Sequence, residues 1–244
     1  MEKKIKDILP TEILRLIRLI GAASRENGCD AFLVGGFVRD VLLGVRNFDL
    51  DIVVEGDAMR LAKDLVKKAG GSYVLHERFG TATAVLPWPV RSKKIRLDEV
   101  KIDFATARKE RYKNPAALPT VEFSTVREDL YRRDFTINAM AVAVADKTFG
   151  HLIDFFGGRN DLLDKKIRVL HDASFLDDPT RILRAVRFEQ RFDFKIEPRT
   201  EGLIKEALNK KMLDKTQKQR LRDELILILN EDRPGKALKR MDAL

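Results

Sequence analysis

Hydrophobic positions along the chain change period several times, and the changes lay out alternating helices and strands followed by helices alone. In residues 11–27, Ile13, Leu14, Ile17 and Ile20 recur at helical spacing behind Thr11, which follows Pro10 as a cap. Ala31 to Val34 is a short apolar run ending at Gly35-Gly36, the pattern of a strand. Phe37 to Leu43 then reads as a short helix stopped by Gly44. Phe48 to Val54 (FDLDIVV) alternates and is β-branched, so it predicts a strand. Asp57 caps a helix running to about Ala69, and Gly70-Gly71 ends it. Further strands fall near Tyr73–Leu75, Ala82–Leu86 and Val100–Phe104.

Residues 107–128 carry many charges, two prolines and little periodicity, which predicts a long loop. A loop of that length inside a compact domain is usually functional or disordered. Around Arg132 to Val144 the pattern becomes a short helix and then a strand, and Gly157-Gly158 punctuates the chain. Everything after about Asp172 reads as helix. The order is mixed α and β first, helices last, with the change near residues 157–175. Two domains are therefore expected, 1–157 with an N-terminal helix and a helical 158–244.

Composition narrows the classes. Hydrophobic residues make up 44% and charged residues 35% of the 244, so the chain is globular with a heavily charged surface. The formal net charge of +9 suits either a polyanionic partner, most simply nucleic acid, or a well-solvated surface, and charge alone does not separate them. A single cysteine, Cys29, excludes an intrachain disulfide and fits a reducing compartment. MEKKIKDILP has no apolar signal region, and no apolar run approaches the ~18 residues of a membrane span. The expected address is the cytoplasm, with no membrane among the partners.

Residues 33–53 read LVGGFVRDVLLGVRNFDLDIV. Gly35 and Gly36 lie between a strand and a helix, where glycine lets backbone N–H groups approach phosphate oxygens. Arg39, one helical turn on, can reach the same phosphates with a bidentate fork. Asp49 and Asp51 are two apart, so on a strand they share a face. Two close carboxylates repel unless a cation lies between them, and carboxylates with a triphosphate suit Mg²⁺. Asp103, in KIDFA, is a third carboxylate that could join them. The plainer alternative is a tight turn followed by solvated aspartates.

Two later segments carry further recognition chemistry. In YRRDFTINAMA, Arg132 and Arg133 are cationic, and Asp134 and Asn138 share a face on a short helix, where carboxylate and amide can bind a ribose hydroxyl. In DDPTRILRAVRF, Asp177 or Asp178 caps a helix, Pro179 occupies its first turn, and Arg181, Arg184 and Arg187 follow at intervals of three. A carboxylate beside a guanidinium, Asp178 with Arg181, offers the acceptor and donors that cytosine and adenine present to a partner base. Surface salt bridges and an N-capped basic helix account for the same letters. His76, His151 and His171 form no metal spacing, and the segment from Asp214 to Leu229 places Leu221, Leu225, Ile228 and Leu229 on one side for packing.

LVGGFVRDVLLG followed by FDLDIV resembles the signature of class II tRNA nucleotidyltransferases and bacterial poly(A) polymerases, of the DNA polymerase β-like superfamily. The resemblance implies an α+β chain, a DNA polymerase β-like head of mixed sheet and flanking helices followed by an all-helical neck. It implies that Gly36 and Arg39 hold a triphosphate and that Asp49 and Asp51 hold metal. RRDFTINAMA is similar to the family's ribose-recognition motif, with Arg133 a nucleotide ligand and Asp134 the sugar reader. Asp178 and Arg181 match the family's base-selecting Glu-Asp-x-x-Arg, and Asp177 departs from the usual Glu, which bears on base preference. IDFFGGRNDLLDKKIRVL is similar to the head–neck linker. The loop ARKERYKNPAALPTVE, with Tyr112, lies where the family helps terminal A addition.

The resemblance covers about residues 31–200, and family members usually continue into helical body and tail domains. The implied activity is Mg²⁺-dependent, template-independent addition of CCA, or of CC or A alone, to the 3′ end of tRNA from CTP and ATP. A poly(A) polymerase shares all three motifs. A non-catalytic RNA-binding module that keeps the fold as a scaffold is the alternative of another class.

Overall fold

Seven strands hydrogen-bond into one mixed sheet in the computed structural model, which describes residues 1–91, 96–111, 115–116 and 119–244. They are β1 (Asp30–Val34), β2 (Leu50–Glu55), β3 (Ser72–His76), β4 (Thr81–Leu86), β5 (Val100–Thr106), β6 (Ala141–Ala143) and β7 (Leu152–Ile153), in the order β7-β6-β1-β2-β5-β4-β3. Only β2 and β5 run parallel; the other neighbours are antiparallel. Alternation sets the register: Val100, Ile102, Phe104 and Thr106 of β5 are buried, as are Ala82, Ala84 and Leu86 of β4. Lys101, Asp103 and Ala105 therefore take the opposite face of β5.

Five helices belong to this first unit, which comprises residues 1–109, 121–131 and 138–155. They are α1 (Glu2–Ile8), α2 (Thr11–Glu26), α3 (Gly36–Leu43), α4 (Ala58–Ala69) and α5 (Val126–Tyr131). The apolar stripe of α2 is buried at Ile13, Leu16, Ile17 and Ile20, and that of α4 at Leu61, Ala62 and Leu65. Asp57 caps α4 by accepting from the Arg60 N–H at 2.9 Å, as its position predicts. Two features go beyond the pattern reading. EKKIKDI is a helix, α1. The expected loop over 107–128 contains paired strands at Arg108–Arg111 and Thr120–Phe123, and then α5. Tyr112 lies outside the described residues.

Residues 110–120, 132–137 and 156–244 form the second unit. Its helices are α6 (Gly158–Leu163), α7 (Ser174–Asp177), α8 (Thr180–Phe192), α9 (Pro198–Asn209), α10 (Lys218–Leu229) and α11 (Pro234–Asp242). A parallel ribbon of Lys166–Ile167 with Lys195–Ile196 accompanies them. Leu183, Val186, Ile228 and Ala237 make a core where α8, α10 and α11 meet, with Leu221 and Leu225 packed against it. Leu229, expected on that side of α10, is exposed. The apolar stripe of α10 is thus narrower than its letters suggest. No helix among the described residues is long and apolar enough to cross a membrane.

Candidate functional site

The glycine turn is built as the letters require. Gly35 has φ +67°, a conformation that disfavours any side chain, and it caps α3, which starts at Gly36. A Cβ added to Gly36 would come within 3.4 Å of the Arg39 guanidinium, so Arg39 folds back towards the turn.

Arg39 itself is buried, and its fork is engaged inside the protein. Its Nε and Nη2 each donate to Asp40 at 2.8 Å, and Nη1 donates to the Asn138 side-chain carbonyl at 2.7 Å. The other Asp40 oxygen accepts from Asn47 at 2.8 Å, and the Asn47 carbonyl accepts from the backbone N–H of Asp49, also at 2.8 Å. One hydrogen-bonded chain therefore runs from Asn138 through Arg39 and Asp40 to the peptide of the first carboxylate. Sequence reading missed Asp40 and Asn47. Their signal is a charged residue inside the apolar helix α3, Asp40, and an asparagine two residues before the first carboxylate, Asn47.

Asp49 lies just before β2 and Asp51 within it, and both carboxylates are exposed. Asp51 stands directly opposite Asp103 in the parallel register of β2 and β5. Asp103 accepts from Thr83 Oγ1 at 2.5 Å and from Lys101 Nζ at 2.7 Å. The Asp103 hydrogen bond holds the Lys101 ammonium above its usual range, and the charges of Asp49 and Asp51 act in the same direction. Negative charge from Asp49, Asp51 and Asp103 thus acts on the one ammonium of Lys101. Among the described residues, no group of three or more His, Cys, Asp or Glu side chains is arranged as a metal cage. Asp103 stands beside the pair, engaged by its own strand and by β4.

In the second unit the expected short helix at 132–138 is absent. Phe135 instead makes an isolated bridge to Val169, and Thr136–Asn138 is a single 3₁₀ turn. Asp134 and Asn138 therefore do not share a helical face. The Asp134 carboxylate is buried and accepts from Phe135 N at 2.8 Å and from Arg184 Nε and Nη2 at 2.9 and 2.7 Å. Arg184 also donates to Glu224 at 2.9 Å. Burial alone would depress the Arg184 pKa, but Asp134 and Glu224 outweigh it and raise it. Arg133 is half-buried.

Asp178 ends α7, and its side chain covers the start of α8. One oxygen accepts from the Thr180 N–H at 3.1 Å and the Thr180 hydroxyl at 2.6 Å, while the other accepts from Arg220 at 2.7 Å. Arg181 is buried and turns elsewhere, donating to Ser174 Oγ at 2.8 Å and to the Arg132 carbonyl at 2.7 Å. The guanidinium beside Asp178 is therefore that of Arg220 and not that of Arg181. Arg132 in turn pairs with Glu110 at 3.0 Å. Arg187 is buried between Glu224 at 3.3 Å and Glu231 at 3.7 Å, and burial pushes its pKa down. Asp177 is half-buried, which pushes its carboxyl up, with Arg181 opposing. Arg220 and Glu224 are not identified by the sequence pattern because their partners lie 42 and 40 residues away. Their signal is the i,i+4 spacing of opposite charges.

Residues 31–168 match the family described as poly A polymerase head domain, and residues 193–244 match one described as probable RNA and SrmB-binding site of polymerase A. Over 236 residues the chain is 47% identical to an A-adding tRNA nucleotidyltransferase of Geobacter sulfurreducens, covering 97% of this chain and 26% of that protein. It is 37% identical to a CC-adding tRNA nucleotidyltransferase of Deinococcus radiodurans, covering 90% and 55%. A solved Thermotoga maritima CCA-adding enzyme complexed with tRNA superposes with TM-score 0.84 at 47% identity, covering 99% of this chain and 53% of that one. The chain thus spans from about a quarter to about half of the length of these relatives.

Proposed function

Because this chain belongs to the poly A polymerase head-domain family, within which its relatives are tRNA nucleotidyltransferases, we propose that it carries the nucleotide-transferring part of such an enzyme. The substrates are CTP or ATP and the 3′ end of tRNA. The product is tRNA extended by CCA or by part of it, CC or A. The observation that carries the reading is the pairing of Asp51 with Asp103 across two parallel strands, with Asp49 two residues before Asp51 and the glycine turn of α3 upstream.

Nucleotidyl transfer in this family uses a divalent cation, and we assign Mg²⁺, with Asp49 and Asp51 as its protein ligands. Bound there, the ion would supply charge neutralisation for the triphosphate and a more acidic attacking hydroxyl. The remaining roles belong to the chain. Gly36 presents its backbone N–H to phosphate, where the positive field of the α3 N-terminus favours it, whereas the Gly35 N–H is donated to the Met140 carbonyl at 3.3 Å and leaves Gly35 to shape the turn. Arg39 stiffens that turn from inside, and Arg133 supplies a cation towards the nucleotide. Asp134 reads the ribose, and Asp178 accepts from the exocyclic amine of C or A. The cytoplasm, where tRNA matures, is the proposed site of action.

Incubation of the protein with tRNA lacking its last one, two or three nucleotides, Mg²⁺, and CTP or ATP separately tests the proposal. Extension by one or two nucleotides, abolished in Asp49→Ala, is the expected result. Unchanged length on every acceptor overturns it. Long homopolymer tails with ATP alone point instead to a poly(A) polymerase, a reading that the head-domain match also accommodates.

A further inference from the structure

Two charged residues of α10 hold, one directly and one through an arginine, the carboxylates assigned to nucleotide reading. Arg220 and Glu224 are four residues apart, so they lie on the same side of the helix about one turn from each other. Arg220 donates to Asp178 at 2.7 Å, and Glu224 accepts from Arg184, which grips Asp134 through two nitrogens. Both linkages are shielded: the side chains of Asp178 and Glu224 are 17% and 13% exposed, and that of Asp134 is 8%.

We propose that Arg220 and Glu224 are positioning residues for nucleotide selection, Arg220 fixing the base-reading carboxylate and Glu224, through Arg184, the ribose-reading one. The inference rests on the functional reading of Asp134 and Asp178 given above. Its physical basis is the limited acceptor capacity of a carboxylate. Asp178 has about four lone-pair sites, of which Thr180 takes two and Arg220 one. The site left over is on the oxygen that Arg220 holds, so Arg220 decides where it points. A carboxylate aimed in this way accepts from the amine of C or A and meets only a carbonyl at the same place on U or G. Glu224 acts one step further back. With Glu224 engaging Nη1, the guanidinium of Arg184 presents Nε and Nη2 together to a single Asp134 oxygen. That leaves the orientation of Asp134 fixed before any sugar arrives.

The two arms predict separate failures, which a general loss of packing would not produce. Equilibrium competition against a fluorescent ATP analogue, with Mg²⁺ and the intact 244-residue protein, gives relative affinities for ATP, CTP, GTP, UTP and 2′-deoxy-ATP. Arg220→Met should lower the preference for ATP and CTP over GTP and UTP by about tenfold while leaving the preference for ATP over 2′-deoxy-ATP unchanged. Arg220→Lys should restore part of it. Glu224→Gln should do the converse, eroding ribose discrimination and sparing base choice. Variants that keep parental selectivity, or that weaken all five nucleotides in parallel, overturn the inference alone. A parent protein that binds nucleotides without discriminating among them overturns it together with the reading of Asp134 and Asp178, and one that binds none overturns it together with the whole proposed function.

Discussion

Arg39 and Asn138, 99 residues apart in sequence, share a 2.7 Å hydrogen bond in the buried interior of the first unit. The bond ties the end of the glycine turn to the segment that opens β6. Asn138→Ala removes a side-chain acceptor from a buried guanidinium that also donates to Asp40. A lost buried hydrogen bond to a charged group costs about 1.5–3 kcal/mol. Urea unfolding followed by circular dichroism should show a loss of that order. The nucleotide affinity of the variant should fall as well, because the turn loses its brace.

Asp49 and Asp51 should behave in the opposite way. Both are exposed, and Asp49→Asn and Asp51→Asn are isosteric, so they remove charge without opening a cavity. The unfolding midpoint should stay at the parental value. Mn²⁺ binding measured by electron paramagnetic resonance, with ATP present, should weaken sharply in both variants. An unchanged Mn²⁺ isotherm would remove the two residues from the metal site.

Most of the framework is legible in the letters because it depends on local rules. A short apolar run placed β1 and alternation placed β2, and the turn expected at Gly35-Gly36 is there, with a positive φ at Gly35. Where reading failed, the deciding contacts are non-local. Asp134 and Asn138 suit one helix by spacing, yet a bridge from Phe135 to Val169 pulls the segment into another shape. Asp178 and Arg181 suit one face of α8, yet Arg181 is drawn to Ser174 and to the Arg132 carbonyl, and an arginine 42 residues away takes its place beside Asp178. Helical periodicity cannot specify which of several arginines meets a given carboxylate.

Stability of the second unit should fall in mildly acidic solution, through His171. Burial lowers its folded pKa below the ordinary 6.5, and the charge of Arg181 adds to the effect, with Asp172 opposing. The unfolded chain therefore binds this proton more readily than the folded one. The stabilisation is complete above the unfolded value of 6.5 and is lost as pH falls through the depressed folded value. Unfolding midpoints from pH 7.5 down to 5 should decline for the parent and decline less for His171→Leu. Equal slopes would show that other groups carry the acid sensitivity.

Two glycines in helices make opposite predictions for the same substitution. Alanine in a helix interior is favoured over glycine by about 1 kcal/mol, so Gly→Ala stabilises wherever the methyl has room. Gly202 lies within α9 with nothing within 4 Å of an added Cβ, and Gly202→Ala should raise stability by about 0.5–1 kcal/mol. Gly21 lies within α2, where an added Cβ would sit 2.2 Å from the Val144 carbonyl oxygen. Backbone cannot swing aside as a side chain can, and relieving the clash means moving α2 from the segment that follows β6. Overpacking of that kind costs about 1–3 kcal/mol, which more than cancels the propensity gain. Gly21→Ala should therefore unfold at lower urea than the parent. Stabilisation by both substitutions would mean that α2 stands further from Val144 than the structure places it.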